Sequence, residues 1–133
     1  MKLDYARFTC CSPQLCVQFS WGYLSLSISF RGKAVEGSFT ALQAQKLCAW
    51  LYQSRVRYEK GFPYKIESET IRRSNERLSL RRFGSYITID VDRSGRSQAG
   101  VLTSRQGVKL EEFLRTSLAT IPLAETEIGR QDK

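Results

Sequence analysis

From residue 23 the chain reads YLSLSISF, and apolar and polar side chains alternate without a break. Leu24, Leu26, Ile28 and Phe30 share one face, and Tyr23, Ser25, Ser27 and Ser29 share the other. A period of two marks a strand with one side buried. The pattern returns in YITIDV, with Ile87, Ile89 and Val91 inward and Tyr86, Thr88 and Asp90 outward. A shorter strand candidate precedes each run, LCVQF in the first case and RLSLRRF in the second. Turn signals follow, FRGKA and DRSGRS, each with a glycine. A short strand then leads through Phe39 or Leu102 into a helix. Thr40 and Thr103 stand where an N-cap hydroxyl accepts a free backbone N–H, and Gln43 and Gln106 stand three residues on, where an amide reaches back. Beyond them Ala44, Leu47, Cys48 and Leu51, and Gly107, Leu110 and Leu114, recur at helical spacing, flanked by Trp50 and Phe113.

These parallels are one repeat. Residues 15–51 laid over 78–114 without gaps give nine identities: Leu15/Leu78, Tyr23/Tyr86, Gly32/Gly95, Gly37/Gly100, Thr40/Thr103, Gln43/Gln106, Lys46/Lys109, Leu47/Leu110 and Leu51/Leu114. Further pairs keep apolar character, such as Val17/Leu80 and Phe39/Leu102. With strands at DYARFTC and YKIESETI, the pattern predicts β-β-β-β-α twice. The expected fold is α+β: two such repeats related by pseudo-twofold symmetry, with antiparallel sheets packed against two helices. One such sheet with one helix cannot hide its apolar face alone, and two copies in one chain can cover each other. The expected domain is a single one over residues 1–121, with repeats at 3–54 and 64–118. RVRYEKGFP links them, and a polar tail follows at 122–133.

Composition sharpens this picture at three points. The 133 residues suit one domain, and 41% hydrophobic content argues against wholesale disorder. No apolar run reaches the roughly 18 residues of a membrane span, and MKLDYARFTC lacks a signal-peptide pattern, so the expectation is an intracellular protein without a membrane partner. Cys10, Cys11, Cys16 and Cys48 form no C-x-x-C pair and the chain has no histidine, so they read as small apolar residues, with no metal or cofactor implied. The net charge of +8 is concentrated: residues 54–109 hold thirteen of the 21 Lys and Arg against six acids, while residues 1–53 hold five and two. Such a local basic excess points to an acidic partner.

The run RLSLRRFGSYITIDV followed by GVLTSRQGVKLEEFL resembles a unit of the single-stranded-nucleic-acid-binding superfamily that includes the Whirly proteins, the Pur-alpha repeats, the guide-RNA-binding proteins and positive cofactor four. The tandem arrangement over residues 3–118 is similar to the Whirly and Pur-alpha architecture. The resemblance implies a solvent-facing sheet that grips an unpaired strand, with rings for bases and basic groups for phosphates.

A single-strand binder needs a positive surface along the backbone and exposed rings for stacking. By alternation Arg77 and Arg81 lie on the strand face opposite Leu78 and Leu80, and Tyr86 opens the next strand on its non-core face. Arg72, Arg73 and Arg82 fall near turns or strand ends, where a guanidinium can reach around an edge. In the first copy Trp21, Tyr23, Arg31 and Lys33 take matching or adjacent places, Lys33 over Arg96 and Tyr23 over Tyr86. Phe83 and Trp21 read either as stacking rings or as caps on the core. The expected function is binding of single-stranded DNA or RNA with little sequence preference, in transcription, replication or strand protection; homo-oligomerisation stays open. The alternative is a protein-interaction adaptor whose basic face meets an acidic protein. Catalysis is disfavoured, since the usual general base is missing; Asp90 with Asp92, or Glu67 with Glu69, would have to act through a metal.

Overall fold

The computed structural model describes residues 8–11, 14–20, 22–60 and 67–119. Its elements run β1 (Phe8–Cys11), β2 (Gln14–Ser20), β3 (Tyr23–Phe30), β4 (Lys33–Thr40), α1 (Ala41–Glu59), β5 (Glu67–Arg73), β6 (Glu76–Phe83), β7 (Tyr86–Arg93), β8 (Arg96–Thr103) and α2 (Ser104–Ala119). The fold is α+β, with two antiparallel four-stranded sheets, β1-β2-β3-β4 and β5-β6-β7-β8. Two of the three ladders in each sheet share one register. Leu15 faces Ile28 and Leu78 faces Val91; Leu24 faces Phe39 and Ile87 faces Leu102, each pair shifted by the same 63 positions. The hairpins β1–β2 and β5–β6 break the offset: Phe8 faces Val17, but Ile71 faces Leu78.

The inner sides of both sheets meet in one core with both helices. Leu15, Val17, Phe19, Leu24, Leu26 and Ile28 from the first sheet join Ile71, Leu78, Leu80, Ile87, Ile89 and Val91 from the second. Ala44, Leu47 and Leu51 of α1 and Leu110 and Leu114 of α2 complete it. Fully burying one such side chain stabilises the fold by about 1.5–3 kcal/mol. The helices pack on each other, and β4 lies against β7 of the other sheet. Gly37 permits that approach, for a Cβ there would stand 2.9 Å from the Phe39 ring and 3.3 Å from Val91 Cγ1.

Both helix starts carry the expected reciprocal cap. Gln43 N–H donates to Thr40 Oγ1 at 3.2 Å and Thr40 N–H to Gln43 Oε1 at 2.9 Å; Gln106 and Thr103 repeat the pair at 3.2 and 2.9 Å. Each cap is worth about 1 kcal/mol. The exposed edge of β4 is closed by the second sheet: Arg73 Nη1 donates to the Ser38 carbonyl at 3.1 Å, and Ser38 N–H donates to Glu76 Oε1. Covering an edge in this way removes a template for unwanted strand pairing.

Two boundaries differ from expectation. FRGKA and DRSGRS contract to two-residue turns, so Lys33 and Arg96 open full strands of eight residues. Arg31 and Gly32 have φ of 54° and 79°, and Ser94 and Gly95 have 55° and 84°. Positive φ at both central positions is the hairpin geometry that suits the twist of the strands. The helix α1 also continues through Arg55–Glu59, part of the expected link, and Lys60 N–H closes it on the Val56 carbonyl at 3.0 Å. No breaker interrupts RVRYE before Gly61. Residues 4–7, 64–66 and the tail from 122 lie outside the described residues, as do the Cys10 and Cys11 side chains. Cys48 is buried, as read; Cys16 is half-buried on the polar face of β2.

One polar group is sealed between the helices. Glu111 is 2% exposed and takes Arg55 Nε and Nη2 at 3.1 and 3.0 Å and Arg115 Nη2 at 2.8 Å. Burial opposes its charge, but these hydrogen bonds outweigh it and hold the carboxyl below its ordinary range.

Candidate nucleic-acid interface

The outer face of the second sheet carries the basic and aromatic residues in rows fixed by strand register. Phe83, Tyr86 and Thr103 form the row at one end, with Phe83 54% and Tyr86 51% exposed. The next row is Ser68, Arg81, Thr88 and Val101, then Thr70, Ser79, Asp90 and Ala99, then Arg72, Arg77, Asp92 and Ser97. Arg81 and Arg77 lie four residues apart on β6, roughly 13 Å at 3.3 Å per residue. Between them the small side chains of the third row leave a shallow cavity of about 360 Å³.

The electrostatics of this face are mixed but net positive. Arg77 Nη2 stands 3.4 Å from Asp92 Oδ2, and Asp92 Oδ1 accepts the Gly95 N–H at 3.3 Å. Arg72 and Arg81 are exposed. Asp90 is half-buried; burial raises its pKa first of all, with Arg77 pulling it down and Asp92 pushing it up. Its Oδ1 is shut off from solvent and has no hydrogen-bond partner.

The structure brings Arg72, Arg77, Arg81 and Tyr86 onto one surface and adds Phe83. The other candidates lie elsewhere. Arg73 is turned to the first sheet, over the Tyr23 ring at 5.2 Å. Arg31 and Lys33 lie at the tip of the β3–β4 hairpin, with Arg31 over Phe30 at 5.1 Å. Arg96 joins Arg93 and Ser94 around a cavity of about 370 Å³ with Ser27 and Glu36 of the first sheet. Trp21 lies outside the described residues.

Arg82 is a correction. Expected to reach around a sheet edge, it is 3% exposed on the inner face beside Leu78 and Leu80. Its Nε donates to Ser54 Oγ at 2.8 Å and its Nη2 to the Leu51 carbonyl at 3.5 Å, while Nη1 is buried without a partner. Burial, with Arg55 nearby, lowers its pKa. Its place in β6 dictates this: alternation puts residue 82 with the core positions 78 and 80. The same parity puts Phe83 with Arg77 and Arg81, a signal that marked the exposed ring.

The first sheet turns a different face to solvent. Its rows read Gln14, Ser29 and Ala34; Cys16, Ser27 and Glu36; Gln18, Ser25 and Ser38; and Tyr23 with Thr40. Its acid is engaged, since Ser25 Oγ donates to Glu36 Oε2.

No protein-family model matches the chain, and no curated protein matches it in sequence. Among the described residues, no helix is long and apolar enough to cross a membrane.

Proposed function

We propose that the protein binds single-stranded DNA or RNA on the outer face of its second sheet. The observation that carries this reading is one register-fixed surface holding Arg72, Arg77 and Arg81 beside two half-exposed rings, Phe83 and Tyr86. Guanidinium groups neutralise phosphates, and exposed rings stack on unpaired bases at about 1–3 kcal/mol per base. The reading takes the two β-β-β-β-α units as pseudo-twofold copies within the Whirly and Pur-alpha superfamily, supported by the common offset in four ladders. It takes the protein as an intracellular binder rather than an enzyme, supporting unpaired strands in transcription, replication or protection.

The test is a titration of labelled single-stranded DNA, single-stranded RNA and duplex at two salt concentrations. Three phosphate contacts on a single strand give a log–log salt slope of roughly −2. Replacing Arg72, Arg77 and Arg81 with alanine removes that slope and costs about a hundredfold in affinity near 0.1 M salt. Replacing Arg31 and Lys33 costs much less. No binding by the unaltered protein at low salt, together with capture of an acidic protein, would favour the adaptor reading instead.

A further inference from the structure

Asp90 is out of place on a phosphate-binding face. The neighbouring acid, Asp92, is neutralised by Arg77 and held by a backbone N–H, and the first sheet's Glu36 is held by Ser25. Asp90 has no such partner, although its Oδ1 is shut off from water. A buried acceptor left unmade costs about 1–3 kcal/mol, and more when charged. Oδ1 itself is closed to a ligand, but Asp90 as a whole is half-buried and lines a surface cavity, where the rest of its carboxylate can meet a donor.

The surroundings say what kind of donor fits. Asp90 sits mid-face in register with Ser79 and Ala99, and Thr70 extends the row across β5. These small side chains, with Glu69 and Arg81 beside them, line the shallow cavity of about 360 Å³. A phosphate is repelled from this spot by the carboxylate. A base is not, provided its edge presents an N–H.

We propose that Asp90 is the specificity-determining residue of this face, accepting a hydrogen bond from the exocyclic amino group of a base seated in the row between Arg81 and Arg77. The inference rests on the single-strand reading above and sharpens it. Cytosine places an amino group where thymine and uracil place a carbonyl oxygen, which would meet the carboxylate lone pairs. Cytosine and thymine are both pyrimidines, so the comparison holds ring size constant while exchanging an amino group for a carbonyl oxygen at the same edge position.

The experiment measures affinity of the full chain for oligodeoxycytidine and oligothymidine of equal length, at neutral pH and fixed salt. The unaltered protein favours the cytidine strand about fivefold, the worth of one charge-assisted hydrogen bond with partial solvent access. Asp90→Ser, which installs the residue found at the matching place in the first sheet, abolishes that preference. The variant also tightens binding of the thymidine strand by removing a negative charge. Asp90→Asn serves as a second variant should the serine form fail to fold, since its amide offers a donor as well as an acceptor and also levels the two strands. Equal binding by the unaltered protein, a thymidine preference, or a cytidine preference that survives either folded variant overturns the inference while leaving the single-strand reading standing. Failure to bind either strand or its RNA counterpart overturns both.

Discussion

Residues 19 and 82 hold the same place in the two sheets, 63 positions apart, and both are buried on the inner face. The first is phenylalanine at 0% exposure; the second is arginine at 3%. Around Phe19 the neighbours are apolar core. Around Arg82 stand Ser54 and the Leu51 carbonyl, with the Arg55–Glu111 pair near enough to act on its charge. The outer faces differ in parallel: serine-rich in the first sheet, arginine- and aromatic-bearing in the second. Shared register therefore does not mean shared chemistry. Both sheets bury their inner faces in one core, and the outer faces, free of that duty, carry different side chains.

Replacing each of the two residues in turn breaks the comparison most sharply. Phe19→Arg places a cation among apolar side chains with no acceptor prepared, and a loss of more than about 4 kcal/mol is expected. Unfolding in urea measures it. Arg82→Leu, by contrast, removes a guanidinium whose Nη1 already lacks a partner. It leaves in place the hydrogen bond that Ser54 Oγ already donates to the Leu51 carbonyl at 3.3 Å. Replacing a buried ion by a hydrophobe is often neutral or stabilising, so stability is expected to stay within about 1 kcal/mol of the parent. A large loss in Arg82→Leu would mean that its charge is needed to hold the helix pair in place.

Much of this difference was legible and some was not. Alternation in RLSLRRF assigns Leu78, Leu80 and position 82 to one side, and Arg77, Arg81 and Phe83 to the other. Nearness to the strand end points Arg82 around the edge instead, and arginine is seldom buried without a partner. Its partners, Ser54 and the Leu51 carbonyl, are more than 25 positions away on α1 and leave no local trace. The Thr40/Gln43 and Thr103/Gln106 caps were readable because they are local. Nearness to a strand end points Arg73 to the shared surface, and the match with Lys33 points Arg96 there, but contacts between the two halves bring both to the first sheet.

A second prediction concerns the acid between the helices. Glu111 matches Cys48 of the first unit, so only one side of the helix pair carries a charge there. Its folded pKa lies below the ordinary 4.5, so the stability it contributes is complete above that value and is lost as pH falls toward the depressed one. Glu111→Gln keeps the shape, removes the charge and is expected to cost about 2 kcal/mol at neutral pH. That is less than a fully buried pair, because Arg55 and Arg115 retain contact with water. Thermal melts from pH 7 to pH 3 should show a shallower acid slope in the variant than in the parent. An unchanged slope would place the acid sensitivity elsewhere.

The smallest effect concerns the rings, and it depends on which faces are free. Tyr23 and Tyr86 match in the repeat and are similarly exposed, at 45% and 51%. Yet Arg73 already lies over the Tyr23 ring, and among the described residues the guanidinium-over-ring contacts fall on Tyr23, Phe30 and Tyr52. A ring so covered must surrender that contact before a base can stack on the same face, whereas Tyr86 pairs in register with Phe83 and Thr103 on the arginine-bearing surface. Tyr86→Ala is accordingly expected to weaken binding of a single strand by about 1 kcal/mol, the low end for one stacked base, and Tyr23→Ala by distinctly less. Tryptophan-free detection is unnecessary if the strand carries the label, and a shift measured at two salt concentrations separates stacking, which is salt-independent, from phosphate contact, which is not. Equal losses at both tyrosines would mean that the strand crosses both sheets and that the serine-rich face shares the work.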